Sequence, residues 1–166
     1  MEDAKLELFL QQQAWEMARQ AKSAVLGTLD ENGYPYTSLV EVIFDGEQDF
    51  WLLLSNLASH TKNIGRNVRA SLWIGEEVDD EEQRLASTRG SYLGRIIEMD
   101  HRRVEIGPRY LKVHPHAEAL MDFADFRFYR LRVERARIIA GFGRIGWVDA
   151  PLSKPEAMED LDHSLD

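Results

Sequence analysis

The chain has 166 residues, 44% of them apolar and 30% charged, a composition that suits one domain with its own core. Its 29 acidic residues outnumber the 20 Lys and Arg for a formal net charge of −9, which argues against general nucleic-acid binding. There is no Cys, so disulfides, thiolate nucleophiles and thiolate-bound metals are excluded.

From Asp3 to Lys22, Leu6, Phe9 and Leu10 recur at helical spacing without Gly or Pro, which predicts an amphipathic helix. SAVLGTLD, PYTSLVEVIFD and QDFWLLLS read as three strands, with turns at Asn32-Gly33 and Asp45-Gly46, and suggest an antiparallel meander. His60 to Val68 reads as a short helix, RASLWIGE as a strand and EEVDDEEQ as a solvated loop. TRGSYLGRIIEMD reads as another strand. Pro108 and Pro115 divide residues 105–124 into two short helices. FRFYRLRVERARIIAGFG alternates apolar residues with Arg and reads as a strand pair. Residues 1–150 form the expected domain, and 151–166 an acidic tail. The sum is about six or seven antiparallel strands with helices, a small barrel. The N-terminus lacks the plan of a signal peptide and no apolar run spans a bilayer, so the expectation is a cytoplasmic chain with no membrane partner.

Chemistry concentrates where the apolar run Trp51–Leu54 gives way to Ser59-His60-Thr61-Lys62. A helix start offers unpaired N–H groups and a partial positive charge, and hydroxyls with a Lys there suit an anion. Plain capping is the alternative, with Ser59 as N-cap and Lys62 in solvent. His114-Pro115-His116 lacks the spacing of a metal pair on one helix face and reads as a helix boundary. No H-E-x-x-H cluster is present, which argues against a zinc hydrolase.

The order GTLD…GYPYTSLV, SNLASHTKNI…NVRASLWIGE, HPHAEALMDFADFRFYRL and GFGRIGW resembles the FMN-binding split-barrel superfamily, the pyridoxamine 5'-phosphate oxidase-like proteins. Within it, the chain is most similar to the haem-utilisation branch. The resemblance implies a mainly β (α+β) fold, a six-stranded antiparallel split β-barrel with peripheral helices. It also implies a homodimer with ligand at the interface.

For an FMN-dependent oxidoreductase, the resemblance implies phosphate contacts from Ser59, Thr61 and Lys62, with His60 in the same cofactor site, and isoalloxazine contacts from Ser38, Leu39 and Val40. Arg144 pairs with an anionic ligand group or is a surface residue. The chain departs from the flavin enzymes in three places. Ser-His-Thr stands where Ser-Arg-Lys is usual, YPYTSLVEV has no Arg, and the Arg-rich terminus of true pyridoxamine-phosphate oxidases is missing. That specific activity is therefore rejected. For a haem-binding or haem-degrading protein, the resemblance implies His163 as axial iron ligand, with Asp125 of the partner subunit orienting it. A third reading is a split barrel without catalysis, serving storage or interaction. On the sequence, FMN leads and haem is the alternative.

Overall fold

The computed structural model describes residues 2–75, 80–141, 143–152 and 154. In chain order the elements are α1 (Glu2–Gln20), β1 (Ser23–Leu29), β2 (Pro35–Glu41), β3 (Ile43–Phe44), β4 (Asp49–Ser55), α2 (Ser59–Arg66) and β5 (Arg69–Gly75). After them come α3 (Glu81–Ala86), β6 (Thr88–Glu98), α4 (Arg103–Val113), α5 (Glu118–Met121), β7 (Phe126–Ala140) and β8 (Ile145–Asp149). Short 3-10 turns precede α4 and α5.

The strands form one antiparallel sheet in the order β2-β1-β5-β6-β7-β4-β3, with β8 added to β7. Its two edges, β2 and β3, are separated in sequence only by Val42, whose N–H still continues the β1 ladder by donating to Lys22 O. Together β2 and β3 act as one strand that turns at Val42 and joins the two edges. The α+β split-barrel architecture is as expected. The count is eight strand segments rather than six, since the turn at Val42 divides one strand and β8 adds another. The first three strands are not a simple meander, because β4 pairs with β3 and β7 rather than β2.

Register sorts the side chains by face. Leu26, Leu72, Tyr92, Ala136 and Val148 lie opposite one another across five strands, and all are buried. They form the barrel interior with Phe50, Leu52, Ile96 and Leu131. Helix α1 closes this core: the Tyr92 hydroxyl donates to Ala14 O at 2.7 Å, and Leu10 packs where a side chain at Gly146 would stand. Leu152 is buried in the same core, so the packed chain runs past β8. A second cluster lies outside the sheet. There Ile43, Trp51, Leu53 and Phe128 face Ile106, Tyr110 and Ala117 of the α4–α5 segment. Strand β4 is thus buried on both faces, which explains its unbroken apolar run.

The strand pair expected in FRFYRLRVERARIIA is one 15-residue strand. Gly94 opposes Val133 while Leu93 opposes Arg135, so Glu134 is an extra residue on β7. This bulge shifts the inward set from Leu131 and Val133 to Ala136 and Ile138. Gly94 is required there, since a Cβ would lie 1.9 Å from Arg132 O. Two further elements were not expected: β8, and α3, where the Asp80 side chain accepts from Glu82 N–H as N-cap.

Candidate functional site

The corner between β4 and α2 is organised by Ser55. Its hydroxyl donates to Asp125 Oδ2 at 2.8 Å and accepts from Leu57 N–H at 3.2 Å. Its carbonyl accepts from Ala58 N–H at 3.2 Å and from the Thr61 hydroxyl at 2.7 Å. The helix starts after Ala58, the N-cap, which has no side-chain capping bond; Ser59 is the first helical residue rather than the cap. Asn63 reaches under the barrel rim, donating from its amide nitrogen to Thr28 Oγ1 at 3.1 Å.

Two recesses flank α2. The first, about 210 Å³, is lined by Leu39, Val40, Ser55, His60 and Phe126, with Glu41 at its edge. Here the structure brings together sequence candidates separated by about twenty positions: Ser38 Oγ and His60 Nδ1 lie 3.0 Å apart and share a hydrogen bond. The other ring nitrogen, His60 Nε2, is buried and has no hydrogen-bond partner among the described residues. Burial lowers the His60 pKa below its ordinary value, so the ring is neutral at neutral pH. Val40 points into the core, whereas Leu39 is 77% exposed on the outer face.

The second recess, about 310 Å³, is lined by Ser59, Lys62, Asn63, Arg66, Tyr36, Asp30 and Glu31. Arg66 lies one turn after Lys62, and the i,i+4 spacing on a helix was the signal that would have added it to the candidates. Its guanidinium is 3.4 Å from the Glu31 carboxylate. The buried Thr61 hydroxyl is directed to Ser55 O, leaving Ser59 and Lys62 as the two of the three phosphate candidates that line this recess.

Arg144 lies at the opposite end of β7 from Asp125. Its guanidinium stacks on Phe9 at 4.5 Å, and among the described residues it touches none of the other candidates. Asp125 keeps its Oδ1 without a hydrogen bond among the described residues, while Oδ2 holds Ser55. His163 lies outside the described residues.

Sequence reasoning did not reach a groove of about 410 Å³ on the outer face of β1, β5, β6 and β7. Arg69, Arg95, Arg135 and Glu134 surround it, with Glu134 paired to Arg95 at 3.0 Å, and Gly27, Ser71 and Leu93 lie along it. Gly27 keeps its floor low, because a Cβ would come within 2.6 Å of Ser71 Oγ. This groove reaches Leu29 and Pro35, while the Lys62 recess begins at Asp30 and Tyr36, so the two meet at the β1–β2 turn.

Three comparisons place the chain among known proteins. It is 24% identical over 136 residues to the haem oxygenase HutZ of Vibrio cholerae, covering 78% of this chain and 75% of that one. A haem-binding protein of Mycobacterium smegmatis superposes with a TM-score of 0.75 at 26% identity, covering 84% of this chain and 57% of the other. The chain thus spans little more than half of that relative. A Clostridium acetobutylicum protein related to general stress protein 26, of the pyridoxinephosphate oxidase family, shares the fold. It has a TM-score of 0.66 and 21% identity, with 86% and 95% of the two chains covered. No helix among the described residues is long and apolar enough to cross a membrane. The family model described as CREG, beta-barrel matches residues 11–154, and the chain belongs to that family.

Proposed function

We propose that the protein binds haem between two copies of the chain and serves haem utilisation, with haem degradation as the reaction. The observation that carries this reading is the outer groove. A porphyrin needs an apolar face, and its two propionates need cations. Leu93 offers the first within the groove, with exposed Trp73 and Leu39 on the adjoining row, and Arg69 and Arg135 offer the second, while Arg95 is already paired with Glu134. The names of the Vibrio and mycobacterial relatives support the same ligand. Haem, when bound, would supply an iron that takes an imidazole ligand and reacts with dioxygen. His163 is the residue proposed to hold the iron. Asp125, with its Oδ1 available, is proposed to accept the other imidazole N–H from across the dimer and hold the ring's tautomer. His60, held by Ser38, lines the neighbouring recess beside Leu39 and is proposed to border the ligand's edge.

FMN is the second reading, supported by Ser59 and Lys62 in the α2 recess. That recess suits a phosphate less well than the sequence suggests. Asp30 and Glu31 share its lining, Glu31 already sits against Arg66, and the Thr61 hydroxyl is engaged. A phosphate there would meet two carboxylates as well as two cations.

The test is an absorption spectrum of the full chain after addition of haemin or FMN and gel filtration. A retained Soret band that is lost in His163→Ala and shifted in Asp125→Ala is the expected result. Retained FMN without haemin would overturn the haem reading. Decay of the Soret band under air and ascorbate would mark haem as substrate, and its persistence as cargo.

A further inference from the structure

The geometry points to a divalent-metal site formed by Glu41, His114 and His116, separate from the haem reading. Pro115 excludes His114 from helical conformation, so α4 ends at Val113 and the chain turns sharply. The turn places both imidazoles on one side, with ring centroids 6.0 Å apart, and brings them against Glu41 at the end of β2. One ligand atom from each of the three residues falls within 4.8 Å of the others.

Protonation supports coordination. His114 is buried, and its Nε2 lies 3.0 Å from Val42 O. A carbonyl only accepts, so Nε2 carries a proton and Nδ1 is the atom left to coordinate. Nδ1 faces Glu41 Oε1 at 3.7 Å, longer than a hydrogen bond and wide enough for a cation to bridge the two. A backbone carbonyl accepting from the far nitrogen is also the usual way a ligating His is oriented. His116 Nε2 lies 2.7 Å from the same carboxylate oxygen and donates to it when no metal is bound; coordination replaces that proton.

The distances fit a small ion. Ligands about 2.1 Å from a tetrahedral metal are about 3.4 Å apart, and the observed 3.7 and 2.7 Å bracket that value. His116 is 63% and Glu41 41% exposed, so both can adjust, while buried His114 stays put. Two imidazoles and one carboxylate select a zinc, ferrous or nickel type of ion over calcium or magnesium. With three protein ligands among the described residues and an exposed His116, a bound ion would keep a coordination position open to solvent. The ion would join the end of β2, next to the His60 recess, to the α4–α5 corner more than seventy residues away in sequence.

The test uses the untagged full chain, stripped with chelator and titrated calorimetrically with Zn²⁺, then with Co²⁺ followed by visible absorption. One Zn²⁺ per chain, a cobalt spectrum of nitrogen and oxygen ligation, and a raised melting temperature are expected. Glu41→Gln and His116→Ala each weaken Zn²⁺ by at least about 10-fold. Both alter exposed side chains, so their circular dichroism and metal-free melting match the parent. Absence of stoichiometric binding in the parent, or parental affinity in both variants, overturns the assignment.

Discussion

His60 shows what a single residue adds to this fold. It sits in a run of polar groups that is conspicuous in sequence, yet its partner Ser38 comes from a strand 22 positions earlier. Sequence places Ser59, His60, Thr61 and Lys62 together because they are contiguous. It cannot show that Thr61 turns inward to Ser55 while Lys62 faces out. The grouping of Glu41 with His114 and His116 is illegible for the same reason: Pro115 marks the boundary, but only the turn of β2 at Val42 supplies the third group.

The burial of His60 has a pH consequence. Its native pKa is lowered, whereas in the unfolded chain it titrates near 6.5. Below that value the unfolded state binds a proton that the native state refuses, so His60 lowers stability as pH falls from 6.5 toward its native pKa. Urea unfolding at about pH 7.5 and about pH 5.5 should show the parent losing more stability on acidification than His60→Gln. An equal loss in both proteins would show that the ring is not held neutral.

At the scale of elements, the legible parts are those with uninterrupted patterns: α1, β1, β5 and the doubly buried β4. The misread parts have interrupted ones. Alternation changes phase at Glu134, so one bulged strand reads as two, and the turn at Val42 is silent because Val suits a strand on either side of it. The acidic run conceals α3, whose local signals, the Asp80 cap and the acidic first turn of Glu81 and Glu82, are part of the run itself.

Helix α2 lacks such a cap, and this is open to test. Ala58 has extended dihedrals, φ −71° and ψ 146°, compatible with a capping Ser, but no side chain to accept from the first turn. Ala58→Ser should raise the free energy of unfolding by about 1 kcal/mol. The urea midpoint reads this. An unchanged or lower midpoint would mean that the corner, already held by Ser55 and Asp125, gains nothing from a cap.

For the whole molecule, the decisive feature is that the two halves of the sheet are dressed differently. The outer face of β4 and the start of β7 is covered by α4 and α5. Across the other half, Leu39, Val25, Trp73, Ser91, Arg137 and Trp147 lie opposite one another in a single outward row. Leu39, Trp73 and Trp147 are 77%, 44% and 47% exposed. Such a row, beside a groove lined by three arginines, is an unusual surface for a lone chain. A second copy placed on it by two-fold symmetry would bury this face and enclose the groove.

Two chains of net charge −9 repel, so this association should strengthen as salt screens them. Sedimentation of the parent should give the mass of two chains, more completely at high salt. Leu39→Asp with Trp73→Asp places two carboxylates on the row and should give single chains with unchanged circular dichroism and no retained haemin. Single chains that still hold haemin would separate the ligand from the interface. A double variant that sediments as two chains would place the contact on another face.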